Sequence, residues 1–274
     1  MIKSKKLATK IRIESIKMVA RAKASHIGGV LSMADLLAVL YSDILNVDPK
    51  SPELETRDRL ILSKGHSCVG LYATLALEGF FSIKKLATYG VDGSPLMAHV
   101  SHKVPGVDFS TGSLGHGLPF GCGKALAAKR MLMDWRTFVI LSDGELDEGS
   151  NWESILFAPQ HKLDNLTVII DYNKIQSLGR VSEVMELHPL AEKFSAFRWA
   201  VREVDGHDHN AIQKALSSLP WEPGKPSVLI ANTIKGKGID FMENKLQWHY
   251  SSPNQDQVTS ALEQLKKVNE DGVY

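Results

Sequence analysis

Asp143 and Asn173 stand thirty residues apart, each just past the end of an apolar run, and together they carry the clearest chemical signal in the chain. The first run, Thr137 to Leu141, stops at Ser142-Asp143-Gly144-Glu145; the second, Leu166 to Ile170, stops at Asp171-Tyr172-Asn173. Each reads as a short buried strand that gives way abruptly to polar, turn-prone residues. Asn151 to Lys162 between them has helical composition, which makes the unit a strand–loop–helix–strand crossover joining parallel strands. Ligands of open α/β sheets bind at the carboxyl ends of such strands, where Asp143 and Asn173 would both lie. A carboxylate and an amide oxygen beside a close-approaching glycine suit a hard divalent cation that holds a phosphorylated ligand. Magnesium takes one or two protein carboxylates and completes its shell with phosphate oxygens and water.

This segment resembles the diphosphate-anchoring motif of thiamine-diphosphate enzymes, a Gly-Asp-Gly followed at fixed distance by an asparagine, with the spacing of the transketolases. Ser142 replaces the motif's first glycine. Further segments along the chain are similar to transketolases. Ala24-Ser25-His26-Ile27-Gly28-Gly29 corresponds to the first substrate-site histidine loop, with the glycine and proline around the histidine altered. Ser63-Lys64-Gly65-His66 carries a histidine that contacts the cofactor diphosphate in the family. His99 falls near a third family histidine, with His102 close enough to compete for the role. Thr111-Gly112-Ser113-Leu114-Gly115-His116-Gly117 matches the stretch that lines the aminopyrimidine, and His116 joins that pocket weakly. Lys235-Gly236-Lys237-Gly238 and Trp248-His249 match positions that reach the diphosphate and the substrate.

The resemblance implies thiamine diphosphate as cofactor, with magnesium, or calcium or manganese in its place. It assigns the metal to Asp143, Asn173 and the Ile175 carbonyl, and the cofactor to His66, Gly112, Ser113, Leu114, Gly144, Glu145, Asn173 and Lys235. His26, His99 and His249 become the proton-handling catalytic set, since imidazole titrates near neutral pH. On the residues alone, Glu145 and Glu148 read as the acidic start of the following helix, and Lys64 and Lys235 read as solvated lysines unless they meet the diphosphate. His161, His188, His207 and His209 read as structural, with Asp205-Gly206-His207-Asp208 a turn and helix cap. The implied activity is transfer of a two-carbon ketol unit from a ketose or its phosphate to an aldose or its phosphate. The family's pyrimidine-activating glutamate lies on a second domain, so the expectation is an N-terminal subunit completed by a separate C-terminal, pyrimidine-binding subunit. Two such pairs would assemble as a dimer of heterodimers. Alternatives are a specialised relative acting on an unusual sugar or a 2-oxo acid, and a non-catalytic structural subunit of the same fold. Joint retention of Asp143, Asn173, His26, His66 and His249 argues against the last.

The elements that must position these residues follow from periodicity. Helical patterns fit Lys5–Lys23, Ser32–Ile44, Cys68–Glu78, Gly117–Met133, Asn151–His161, Pro189–Phe197, Asn210–Leu219 and Asp256–Val268. Strand-like runs fit Leu60–Leu62, Thr137–Leu141, Leu166–Ile170, Ala200–Val204 and Ser227–Asn232. Their alternation predicts an α/β fold, a doubly wound, mainly parallel sheet with helices on both faces. One domain over 1–274 is expected, with a C-terminal tail from about 240, and Phe80 to Gly115 as a long functional loop.

Composition narrows the partners. With 43% hydrophobic and 23% charged residues the chain is of globular type, and 32 basic against 31 acidic residues favour neither nucleic acid nor an anionic membrane. The N-terminal segment has no continuous apolar core and reads as an amphipathic basic helix rather than a leader or anchor. No run approaches the roughly 20 apolar residues of a spanning helix. Cys68 and Cys122, set among small or apolar neighbours, read as reduced and buried, which points to the cytoplasm.

Overall fold

The structure is a computed structural model that describes residues 2–271. Five strands, β1 (Arg59–Leu62), β2 (Thr137–Ser142), β3 (Leu166–Tyr172), β4 (Ala200–Asp205) and β5 (Ser227–Asn232), form one parallel sheet in the order β1-β2-β3-β5-β4. The helices are α1 (Ile2–Ala22), α2 (Ile27–Val39), α3 (Cys68–Leu77), α4 (Gly117–Arg130), α5 (Gly149–Gln160), α6 (Val181–Val184), α7 (Leu190–Ala196), α8 (His209–Ser217) and α9 (Gln255–Asp271).

Strand side chains alternate between two cores. Phe138, Ile140, Ile169, Leu229 and Ala231 pack with α1, α2, α3, α8 and α9, whereas Val139, Leu141, Val168, Ile170, Val228 and Ile230 pack with α4 to α7. Burial on both faces is why the strands read as continuous apolar runs. Outer strand β4 is the exception: exposed Arg202 and Glu203 give its edge charges that discourage pairing with another chain.

Helix α2 begins five residues before the predicted Ser32. All of its residues are buried, so no polar face marks the helical period at its first turn. Together with the π turn at Leu40–Ile44 it makes an 18-residue stretch, Ile27–Ile44, that by length and composition alone would suffice to cross a membrane; 83% of it is buried within the protein. The C-terminal segment from about 240 packs on the fold. Met242 and Trp248 are buried, and Val258, Ala261 and Leu265 of α9 share a core with Leu7, Ala8 and Ile11 of α1.

The long connection from Phe80 to Gly115 contains a short 3₁₀ turn, Ile83–Thr88, and is otherwise irregular but pinned. Tyr72 donates its hydroxyl proton to the His99 carbonyl (2.7 Å), Thr111 Oγ1 donates to the Leu62 carbonyl (2.6 Å), and the Val100 N–H reaches the Gly65 carbonyl (3.2 Å). Arg57 adds a two-pronged ion pair to Asp108. These anchors hold the connection against the carboxyl end of β1, beside the ends of β2 and β3.

Candidate active site

Pairing of β2 with β3 sets Ser142 opposite Asp171, so the next turns place Asp143 and Asn173 side by side. Asp143 is 2% exposed; its Oδ1 accepts the Gly144 N–H (2.8 Å) and its Oδ2 the Lys174 N–H (2.6 Å). Burial, and then the nearby Asp171 carboxylate, push the Asp143 carboxyl up to about 6. Asn173 Oδ1 accepts the Ile175 N–H (3.2 Å), and the Ile175 carbonyl accepts from Lys235 Nζ (2.8 Å). Above this turn lies a cavity of about 280 Å³. Of the expected site residues, His26, His66, His99, Gly112, Leu114, Asp143, Gly144, Asn173, Ile175, Lys235 and His249 all line it.

Three imidazoles touch one another inside this cavity. Ring centroids are 5.1 Å apart for His26 and His66, 4.9 Å for His26 and His249, and 5.9 Å for His66 and His249. Such crowding and burial favour neutral rings. Burial and then Lys64 hold His66 well below its ordinary value; burial, Lys235 and His26 bring His249 down to about 3. His26 is lowered by burial, His99 and Lys235. Lys235, brought down to about 8 by burial, remains an ammonium at neutral pH and donates to His249 Nδ1 (3.0 Å). An ammonium has no lone pair, so His249 accepts there and carries its own proton on Nε2. Ser25 Oγ lies 2.8 Å from His26 Nδ1, and the His26 N–H donates to the His249 carbonyl (2.9 Å), which ties the two loops together. His26 itself has a φ of 71°, a left-handed conformation that histidine tolerates better than most residues.

Some residues sit elsewhere than expected. Glu145 does not line the cavity: it is fully buried behind the turn, where it accepts from Ser63 Oγ and from the Gly115 N–H (3.0 Å). Glu148 alone stands at the N-cap position of α5, without a side-chain capping bond, and Glu145 lies inside the preceding 3₁₀ turn. Ser113 is exposed beside the cavity rather than in its lining. His102 is likewise exposed and bonds Ser110 (2.7 Å), which leaves His99 as the histidine of that loop in the cavity. His116 bonds backbone carbonyls of its own loop. His188 meets Tyr172, His161 packs at a tilt against Phe157, and His207 and His209 both bond Asp35.

Neither lysine of the site is solvated. Lys64 is 1% exposed and ion-paired with Asp171 at 2.5 Å, and Lys235 is 2% exposed. Burial alone would raise the Asp171 carboxyl, but the Lys64 charge and hydrogen bonds from Lys64, Ser32 and Thr233 bring it below the usual range. Sequence reasoning passed over Asp171, whose only signal was an acid inside an apolar run, and over Gln176 and Ser177, which also line the cavity. A larger open cleft of about 1100 Å³ lies by α8 and α9, and its Arg12–Asp35 and Lys237–Glu243 charges pair with each other.

The donor set fits a metal diphosphate. Asp143, Asn173 and the Ile175 carbonyl offer oxygens only, as a hard cation prefers, and a single carboxylate leaves the rest of the shell to ligand oxygens and water. Among the described residues no group of three His, Cys, Asp or Glu forms a metal cage, which agrees with a site completed by its ligand. Gly29 keeps the floor open: a Cβ there would stand 3.4 Å from Lys64 Nζ and narrow the approach to that ammonium.

Residues 3–269 match the family described as transketolase, thiamine diphosphate binding domain. The chain is 41% identical over 267 residues to one of the subunits of the apulose-4-phosphate transketolase of Phocaeicola vulgatus, covering 95% of each. It is 40% identical over 261 residues to a 6-deoxy-6-sulfo-D-fructose transketolase subunit of a Clostridium species, again covering 95% of each. Among solved structures, transketolase from Campylobacter jejuni superposes with a TM-score of 0.91 at 32% identity, over 97% of this chain and 43% of that one. This chain therefore spans less than half the length of that transketolase. It belongs to the transketolase family as a thiamine-diphosphate-binding domain.

Proposed function

We propose that this chain is the diphosphate-binding subunit of a two-part transketolase, which moves a two-carbon ketol unit from a ketose or ketose phosphate to an aldose or aldose phosphate. The observation that carries this reading is the convergence of three contacting, neutral imidazoles and two buried ammoniums on one oxygen-donor turn. When bound, thiamine diphosphate supplies a nucleophilic carbon and an electron sink, chemistry that no side chain provides. Asp143, Asn173 and the Ile175 carbonyl would hold magnesium, with calcium or manganese as substitutes. Lys64, Lys235, His66 and the Gly144 backbone would hold the diphosphate, and Gly112, Ser113 and Leu114 the rings of the cofactor. His26, His99 and His249 exchange protons with sugar hydroxyls and the carbonyl oxygen; the neutral ring of His249 offers its Nε2–H as a hydrogen-bond donor to a substrate oxygen.

Asp143 is the one carboxylate in the lining among the described residues. The glutamate that activates the pyrimidine ring is therefore assigned to a separate pyrimidine-binding chain. The relatives named as subunits match over nearly the whole length of both chains, which supports the same division here. Exposed Met97, two residues before His99 of the lining, and exposed Leu178, next to Ser177 of the lining, give the partner an apolar rim to cover. Two such pairs forming a dimer of heterodimers is the assembly we favour, in the cytoplasm, a setting that two buried free cysteines suit.

The names of the two relatives concern different unusual ketoses, which favours a specialised donor as the second reading. The test is ketol transfer by the purified chain, by its partner and by their mixture, with thiamine diphosphate and magnesium, across a panel that includes branched and sulfonated ketoses. Turnover only in the mixture is expected. Robust turnover by this chain alone would refute the division of the site.

A further inference from the structure

Asp171 is an acid in the apolar run of β3, fully buried and two residues before Asn173. Its Oδ2 accepts from Lys64 Nζ (2.5 Å) and Ser32 Oγ (2.6 Å), and its Oδ1 from Thr233 Oγ1 (2.5 Å). Asn173 turns its Nδ2 toward the same Oδ2 (3.4 Å) and toward Ser32 Oγ (3.5 Å). An amide has one donating end and one accepting end, whereas a carboxylate beside an ammonium only accepts. The Ser32 hydroxyl proton has two acceptors in reach, Asp171 Oδ2 (2.6 Å) and the Gly29 carbonyl (3.0 Å), so whichever takes it, the Ser32 oxygen meets Asn173 as an acceptor. Both partners on the inner side thus demand the NH₂ of Asn173. Its carbonyl oxygen is left on the outer side, with the Ile175 N–H (3.2 Å) and the cavity.

We propose that Asp171, seconded by Ser32, is a positioning residue that locks the Asn173 amide with its oxygen toward the metal. A flipped amide would present N–H groups to a cation and remove one of its two side-chain ligands. The inference rests on the metal-diphosphate reading above and adds to it the residue that decides which end of Asn173 the metal meets. Lys64 has a linked part. Its ammonium, held between Asp171 and the Gly29 carbonyl (3.0 Å), supplies the charge that keeps Asp171 an acceptor.

The test is manganese binding by the chain with its partner and saturating thiamine diphosphate, read as the loss of free Mn²⁺ signal in electron paramagnetic resonance. Melting curves are recorded in parallel. Asp171→Asn supplies an amide where only an acceptor stood, and we expect it to weaken Mn²⁺ about 10- to 100-fold, the usual effect of removing an outer partner of a metal ligand. Ser32→Ala keeps the buried carboxylate and its lysine, so it carries the test if Asp171→Asn does not fold; it should weaken Mn²⁺ by at least about tenfold. Thr233→Val touches only the far oxygen of Asp171 and should bind Mn²⁺ like the wild type. A merely structural role for Asp171 would lower the melting temperature without moving the dissociation constant of the folded protein. Wild-type Mn²⁺ affinity in folded Asp171→Asn, or in Ser32→Ala, would overturn the inference alone, as would an equal loss in Thr233→Val. A wild-type protein that takes up no Mn²⁺ would overturn the metal reading and this inference together.

Discussion

Gly65→Ala offers a severe test of how the cavity wall is built. Gly65 follows β1, and a Cβ added to it would lie 2.4 Å from the Thr111 carbonyl oxygen and 2.5 Å from its carbon. Those are backbone atoms, so no rotamer change relieves the clash. Thr111 immediately precedes Gly112 of the cavity lining, with Leu114 three residues on, and is fastened to β1 through its own hydroxyl. Ordinary contact begins near 3.4 Å, so the two segments must part by about 1 Å, a misplacement that can cost about 10²-fold in rate. Overpacking of this kind costs about 1–3 kcal/mol, or about 2–12 °C in melting temperature for a chain of this size. The control is Gly123→Ala on the exposed side of α4, where an added Cβ meets nothing within 4 Å and a helix interior gains up to about 1 kcal/mol. Thermal melts, calorimetric titration of thiamine diphosphate with magnesium, and ketol transfer with the partner are the measurements. A Gly65→Ala protein that melts and binds cofactor like the wild type would refute the close-approach reasoning, as would equal damage from Gly123→Ala.

His99→Ala should keep melting temperature and cofactor affinity but lose about 10²–10⁴-fold in turnover, the usual worth of a general acid–base group; His102→Ala, whose ring lies outside the cavity, should keep its rate. Asp143→Ala should abolish the metal dependence of thiamine diphosphate binding in calorimetric titrations with and without magnesium. Asp35 supplies a pH prediction away from the site. It is buried and bonded by Arg12 (2.6 Å), His207 (2.6 Å) and His209 (3.1 Å). Burial alone would raise its carboxyl, but the Arg12 charge and the three sets of hydrogen bonds hold it well below the ordinary range. The unfolded chain, with an aspartate near pKa ~3.9, then binds the proton first as pH falls. This stabilisation is therefore complete above that value and is lost as pH drops through the lower folded one. Asp35→Asn should cost about 3–5 kcal/mol at neutral pH by leaving Arg12 buried without its counter-ion, and its denaturation midpoint should depend less on pH below about 4.

The strands were legible because a sheet covered on both faces makes apolar runs, and runs such as Thr137 to Leu141 need no long-range information to be seen. The turn residues Asp143 and Asn173 were legible for the same reason, since they stand where those runs stop. What sequence could not show was direction. Glu145 and Asp143 are two residues apart on one turn, yet one carboxylate faces the cavity and the other faces Ser63 and the Gly115 N–H behind it. His99 and His102 present the same difficulty on an irregular segment without periodicity; only contacts made in the fold, to Tyr72 twenty-seven residues away and to Ser110 eight residues on, separate them. The start of α2 was missed because a helix buried all round carries no amphipathic signature.

The lysines show how burial changes the meaning of a residue type. A lysine is a solvated surface charge by default, and it becomes a site residue only when a carboxylate or a ligand makes its burial tolerable. Around this cavity the buried ammoniums of Lys64 and Lys235 are matched by the buried carboxylates of Asp171 and Asp143. With Glu145 also buried behind the turn, the pocket holds no surplus of positive charge before any ligand arrives, and Lys64 is already held by Asp171 at 2.5 Å. A diphosphate entering alone would bring its negative charge against Asp143 in a site where water is scarce and charges are weakly screened. A divalent ion held by Asp143 and Asn173 would offset that negative charge, since it would be the largest local charge in the site. Metal and diphosphate should accordingly bind as a unit, each raising the other's affinity by the same factor, as linkage requires.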